Sequence, residues 1–474
     1  MSFTPQDVAE IVSRVMDELS SIKTSDNRAT VARSASAVVG ERGVFSDVDS
    51  AVGAARKAFE AWQHVPLAIR GKAIDAIRAI CTENLHSLAR TAFEETGLGR
   101  YEDKVNKNLL VIEKTPGIED LQPVAYSGDF GLTLAECAPY GVIGAITPTT
   151  NPTETIINNA IGMIAAGNAV VFNAHPRAKR CCAFAVDLIN QAVMSAGGPA
   201  NLACIIKEPT MESGNALMNH PGVRILVVTG GPGIVKAAFQ SGKKVIAAGP
   251  GNPPAVVDET ADLDEAAKNI IAGATLDNNI LCIAEKEIFV VESVADAFMA
   301  ALKRHGGYQV IGSNIARLEK HIFHDGHFDA DLIGQNADKI LKGIGIDAPA
   351  SIRMAFIETD KNHFLVQKEQ MMPVLPVVRC KDVATAIAWA VEAEKGNFHT
   401  ATMHSRHLDH LHAMAVACNC SIFVKNGPSY AGLGMHGEGF ATMSISSPTG
   451  EGLTSARSFT RSRRCVLKGH FRIV

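Results

Sequence analysis

No stretch of this 474-residue chain approaches the roughly 18 uninterrupted apolar residues that a helix needs to cross a bilayer. The opening residues also lack the basic-then-apolar order of a secretory signal. There is no Cys-x-x-Cys and no His-Glu-x-x-His, so the common zinc spacings are missing. Charge of one sign is missing too: 45 basic against 49 acidic residues leave −4, with no broad positive footprint for nucleic acid. The basic run Arg461-Ser-Arg-Arg464 is too short for such a face and reads as a solvated or subunit-contacting stretch. His404, His407, His410 and His412, like His324 and His327, read as exposed faces rather than metal ligands. These absences predict a chain with no membrane, nucleic-acid or metal partner, its ten cysteines reduced in the cytoplasm.

What is present describes an ordinary globular protein, 47% hydrophobic and long enough for two or three domains. Its first twenty residues stand apart. Thr4-Pro5 resembles a helix start, and Val8, Ile11, Val12, Val15, Met16 and Leu19 form one apolar stripe. Residues 21–43, rich in Ser, Ala, Thr and charge, read as a linker. A short helix on a linker cannot bury its stripe within itself, which predicts docking to a partner. The body begins near Val44, with Ser46 expected to cap a helix and a second amphipathic segment running from Ile69 to Leu88. From Gly141 onward, apolar strands (Gly141 to Ile146, Ala169 to Phe172, Ile225 to Val228) alternate with helical runs. That alternation predicts an α/β fold with a parallel sheet.

Cys282 is the most informative residue. It lies between a helix-like run, Ala266 to Ala274, and the β-branched run from Ile288 to Glu292, which places a thiol on a connection. By itself a free cysteine is as readily a small buried hydrophobe, and there are nine others. Thr229-Gly-Gly-Pro-Gly-Ile-Val235 follows a strand and opens a helix, where a cofactor-cradling turn belongs. It is not a full Gly-x-Gly-x-x-Gly fingerprint, because Lys236 takes the last glycine's place. A second turn, Gly249-Pro-Gly-Asn-Pro-Pro254, follows the strand Lys244 to Ala247.

Taken in order, several segments resemble the aldehyde dehydrogenase superfamily, and within it the CoA-acylating enzymes of bacterial microcompartments that oxidise acetaldehyde or propionaldehyde. They are Pro139 to Asn159, Thr229 to Val235, Cys282 to Glu287, Met371 to Val378, Ser421 to Gly432 and Pro448 to Arg457. The resemblance implies a Rossmann-like NAD/CoA-binding domain over 44–120 and 139–247 and a catalytic domain over 248–440. It also implies a β oligomerisation extension over 121–138 and 441–474, hence a homodimer or homotetramer. The helix over 1–20 resembles an encapsulation peptide that docks a shell protein, which implies the microcompartment lumen.

The same resemblance assigns roles. Cys282 is the nucleophile toward a short-chain aldehyde, and Asn151 with the Cys282 backbone N–H serves the oxyanion. Asn151 sits one position later than in the family pattern, with Thr150 in the aligned place and a turn residue as the alternative reading. His399 is the base for the thiol of coenzyme A or of Cys282, or else a histidine bonded to backbone. Thr229, Gly230, Gly231, Gly249, Glu369 and Asn173 hold the cofactor, Asn173 replacing the family's ribose-binding lysine. Ala247 stands where hydrolytic members carry a water-activating glutamate, so the implied product is an acyl-CoA rather than a free acid. The competing readings are a non-acylating semialdehyde dehydrogenase and a non-catalytic shell-docking scaffold.

Overall fold

The computed structural model describes residues 42–473. The helix expected over 1–20 and all but the end of the expected linker lie outside the described residues. The described chain opens with β1 (Val44–Phe45) and four helices, α1 (Val48–Trp62), α2 (Leu67–Glu83), α3 (Leu85–Thr96) and α4 (Tyr101–Lys114). Asp47, not Ser46, caps α1: its backbone is extended and its carboxylate accepts the Ser50 N–H. The amphipathic segment expected from Ile69 to Leu88 spans two helices. Asn84 breaks it, its side chain donating back to the Ile80 carbonyl in competition with the helical ladder.

A hairpin, β2 (Val124–Gly128) and β3 (Gly131–Pro139), leads into β4 (Val142–Ile146), α5 (Pro152–Ala165) and β5 (Ala169–Asn173). Then come α6 (Lys179–Ser195), β6 (Ala203–Ile206), α7 (Met211–Asn219), β7 (Val223–Thr229), α8 (Pro232–Gln240) and β8 (Lys244–Ala248). Strands β4, β5 and β6 are buried on both faces, as their unbroken apolar runs require of a helix-covered parallel sheet. Six strands order as β1-β6-β5-β4-β7-β8, all parallel. From β4 the chain winds outward to β6, then returns to β7 on the other side. The carboxyl ends of β4 and β7 therefore flank a topological switch point, where such sheets bind ligands.

The second half supplies β9 (Pro254–Val257), α9 (Leu263–Thr275), β10 (Glu287–Val291), α10 (Glu292–Arg304), β11 (Gly307–Gln309), β12 (Met354–Thr359) and β13 (Val374–Cys380). It continues through α11 (Val383–Glu394), β14 (Thr400–His404), α12 (Leu408–Cys418) and β15 (Ile422–Lys425). A seven-stranded parallel sheet results, ordered β11-β12-β13-β10-β9-β14-β15. His404, expected on an exposed face, ends β14 buried at 2% exposure, because that strand lies inside the sheet. Finally β16 (Thr460–Lys468) returns to pair antiparallel along β3, from Thr460 opposite Pro139 to Lys468 opposite Gly131. This three-stranded arm carries exposed Tyr126, Phe130, Val466 and Leu467.

Candidate active site

The loops after β4, β5, β7 and β8 meet the segment before β10 around a cavity of about 570 Å³. Thr149, Thr150 and Asn151 line it from β4, Asn173 from β5, Thr229, Gly230 and Gly231 from β7, and Gly249 from β8. Cys282 and Glu369 line it from the second half. Eight of the nine expected site residues thus share one cleft at the switch point, though they are scattered over more than 200 positions. His399 is the exception.

Asn173 bonds within the protein: its Oδ1 accepts from Ser213 Oγ at 2.6 Å, in the capping box that starts α7. The turn Gly230-Gly231 is open by contrast. Among the described residues no side chain caps the first turn of α8, and a Cβ on Gly231 would meet nothing within 4 Å. Uncapped N–H groups and an open glycine wall suit the close approach of a dinucleotide's diphosphate, so the residues fit that cofactor.

Between α9 and β10 the chain makes an unusual turn. Asp277, Asn278 and Asn279 all have positive φ, at 50°, 55° and 69°. Asx residues tolerate the left-handed region best among side chains, and three in a row still need external anchors. Asp277 accepts from the Arg100 N–H and from Lys104 Nζ. The Asn278 amide donates to the Gly334 carbonyl and to Asn336 Oδ1, and the Asn279 amide to the Ala274 and Glu285 carbonyls. Gly99 must be glycine here, since a Cβ would lie 1.8 Å from Asp277 Oδ1. The buried Lys286 ammonium closes the loop on itself, donating to the Asn279 carbonyl and side chain at 2.7 Å and to the Leu281 carbonyl at 3.2 Å.

Cys282 emerges from that loop partly exposed to the cavity. Burial, with the nearby Glu369 carboxylate, pushes its thiol up to about 12, while Lys286 and its own backbone N–H pull the other way. Glu369 is itself raised by burial and lies 3.8 Å from Lys286. The resting thiol is therefore protonated at neutral pH, and charge neutralisation at Glu369 favours its ionisation.

Asn151 stands at the N-cap position of α5, yet its side chain makes no capping bond. Its Oδ1 accepts from Lys107 Nζ at 2.6 Å and its Nδ2 donates to Thr150 Oγ1 at 3.2 Å. One N–H of the amide goes to Thr150, and the other remains for a ligand.

His399 is buried at 1% and lies behind the cavity wall. Its N–H donates to Glu394 Oε1, Nδ1 meets Thr400 Oγ1, and Nε2 has no partner among the described residues. Gly251 separates it from the nucleophile loop: a Cβ there would sit 2.5 Å from the Cys282 carbonyl and 3.2 Å from the His399 ring. Burial, aided by the Lys286 charge, lowers the imidazole to about 4, so it is neutral. Ala247 is fully buried, its N–H bonded to Thr449 Oγ1, and Ala248 lines the cavity in its stead.

Sequence reading missed Lys107, Lys286 and Glu394. Their roles are pairings across up to 170 positions, which spacing does not show. One signal was available: Lys104, Lys107, Asn108 and Val111 share the buried stripe of α4, where lysine is out of place unless paired.

Known proteins share this arrangement. The aldehyde dehydrogenase family model matches residues 17–317. The chain is 47% identical to the acetaldehyde dehydrogenase (acetylating) EutE of Salmonella typhimurium, over 99% of both chains. It is 46% identical to a propanal dehydrogenase (CoA-propanoylating) of the same organism, over 91% of this chain and 93% of that one. A Rhodopseudomonas palustris propionaldehyde dehydrogenase, solved with bound CoA and an acylated cysteine, superposes with TM-score 0.90 at 49% identity, covering 91% and 99%. With a cysteine, an amide and a glycine turn gathered at one switch point, and near-full-length identity of this size, the chain belongs to the aldehyde dehydrogenase family.

Proposed function

We propose that this chain is a CoA-acylating aldehyde dehydrogenase, converting a short-chain aldehyde, NAD and coenzyme A to an acyl-CoA and NADH. The relatives named for acetylating and CoA-propanoylating activity support this, as does the structure solved with CoA and an acylated cysteine. One observation carries the product assignment. Among the described residues Glu369 is the only acidic one lining the cavity, and the family's position for a water-activating glutamate is a buried Ala247.

In this reading the Cys282 sulfur adds to the aldehyde carbon, and the oxyanion is met by Asn151 Nδ2 and the Cys282 N–H. A nicotinamide bound in this cleft would supply the hydride acceptor for that carbon. Thr229, Gly230, Gly231, Gly249, Glu369 and Asn173, which line the cleft, would hold that cofactor. With Ala247 in place of the family's water-activating glutamate, the thioester left on Cys282 would await a thiol, which takes the acyl group. His399, neutral and one glycine away, receives the thiol proton. The exposed arm edge at β16 would complete a neighbour's sheet in a dimer or tetramer. Residues 1–20 would dock the enzyme to a shell protein, in a cytoplasmic microcompartment lumen.

The test follows NADH absorbance with acetaldehyde or propionaldehyde, with and without coenzyme A. Turnover should require coenzyme A, give acyl-CoA, and vanish in Cys282→Ala. Steady release of free acid without coenzyme A would rule the assignment out. Deleting residues 1–20 should leave turnover intact and abolish binding to the shell.

A further inference from the structure

A side-chain amide has two ends of nearly the same shape, and only the nitrogen end can stabilise an oxyanion. Something must decide which end of Asn151 faces the cavity. Thr150 cannot, because a hydroxyl both donates and accepts. Lys107 can: an ammonium has three donors and no acceptor, so it is compatible with Oδ1 alone. The bond is short, 2.6 Å, and both partners are buried.

The same ammonium holds the other half of the site. It pairs with Asp277 Oδ2 at 2.5 Å and with Glu154 Oε1 at 3.2 Å, every side chain being wholly buried. Lys104 joins Asp277 at 3.0 Å, so two ammoniums balance two carboxylates. Burial opposes the charge on Lys107, but Asp277 and Glu154 outweigh it and raise its pKa. The ammonium thus donates to the oxyanion residue and is ion-paired with the left-handed turn that leads into Cys282 and with Glu154 on α5.

We propose that Lys107 is a positioning residue that locks the Asn151 amide with its donor toward the aldehyde oxygen, and ties that donor to the loop carrying the nucleophile. The inference rests on the reading of Asn151 as the oxyanion donor. It assigns no contact between Lys107 and substrate.

The test is a double-mutant cycle on the full chain, using Lys107→Met, Asn151→Ala and the pair. It reads the rate of the first NADH turnover per site without coenzyme A, at the pH plateau, together with KM for NAD and the thermal midpoint. Asn151→Ala should slow that turnover about 10²-fold, the usual loss of one oxyanion donor. Lys107→Met should slow it comparably with KM for NAD unchanged, and the pair should fall within about threefold of the slower single variant. A loss in the pair approaching the product of the two single losses overturns the proposal. So does an unaffected Lys107→Met. An unaffected Asn151→Ala instead removes the reading of Asn151, and the proposal with it. Should the methionine variant not fold, Lys107→Gln runs the same cycle, with the same outcomes decisive.

Discussion

At the residue scale, Cys282 was legible from its neighbours, whereas the state of its thiol was not. Ionisation depends on Lys286 and Glu369, and Glu369 lies 87 positions away in the chain yet shares the cavity. One substitution tests that dependence. Glu369→Gln removes the carboxylate that raises the Cys282 thiol, so Cys282 should alkylate faster at neutral pH in the free enzyme, by about threefold to tenfold. The same change should raise KM for NAD if Glu369 holds the ribose. Peptide mapping after iodoacetamide treatment distinguishes Cys282 from the other nine thiols. Slower alkylation in the variant would contradict the electrostatic account.

His399 gives a second case. An ordinary imidazole would lose its basic form below about pH 6.5. Here burial lowers that point to about 4. The ratio of wild-type to His399→Ala rates for coenzyme A-dependent thioester decay should therefore stay constant from about pH 7 to about pH 5. A ratio that collapses near pH 6.5 would mean that the ring is solvated when it acts. The motif around His399 could be read from sequence. Its depth behind Gly251 could not, because depth is set by how β9 and β14 pack.

At the element scale, the alternation of strands and helices could be read because both faces of a parallel sheet are apolar. One detail went astray where side chains compete with the backbone, since Asp47 took the cap from Ser46, and the break at Asn84 within the segment from Ile69 to Leu88 was not foreseen. The left-handed turn at Asp277 to Asn279 was read only as a connection. Its sequence is a good signal in retrospect, since Asp and Asn are the side chains that enter that region most readily. The turn also allows backbone and side-chain contributions to be separated. Asn278→Gly keeps access to positive φ but loses the bonds to Gly334 and Asn336, whereas Asn278→Ala loses both. Alanine should therefore be less stable than glycine by about 1–2 kcal/mol in urea unfolding, although glycine is the more flexible residue. Equal stability, or a more stable alanine variant, would show that the turn relaxes out of the left-handed region.

At the scale of the whole molecule, the chain order of the strands hid what the spatial order shows. β4 and β7 are neighbours although two strands separate them in sequence, and the cleft exists because of that reversal. Burial on this scale also sets the response to acid. His404, at the end of β14, is held neutral by burial, with its pKa lowered to about 4 and Nε2 unpartnered among the described residues. Between about pH 6.5 and about pH 4 the unfolded chain takes up a proton on this ring that the folded chain does not. Stability from this group is therefore complete above about pH 6.5 and lost as pH falls, by up to about 3 kcal/mol. Glu285 works in the opposite direction. Burial raises it to about 7, so the folded chain holds its proton first and gains stability as pH falls from about 7. The wild-type curve mixes both effects, and a His404→Leu comparison isolates one. The variant's urea midpoint should gain on the wild type steadily as pH falls from about 6.5 toward about 4, with no further divergence above pH 7. Parallel curves across that range would mean that His404 protonates without unfolding its strand, and that the second sheet opens locally at the β14 end.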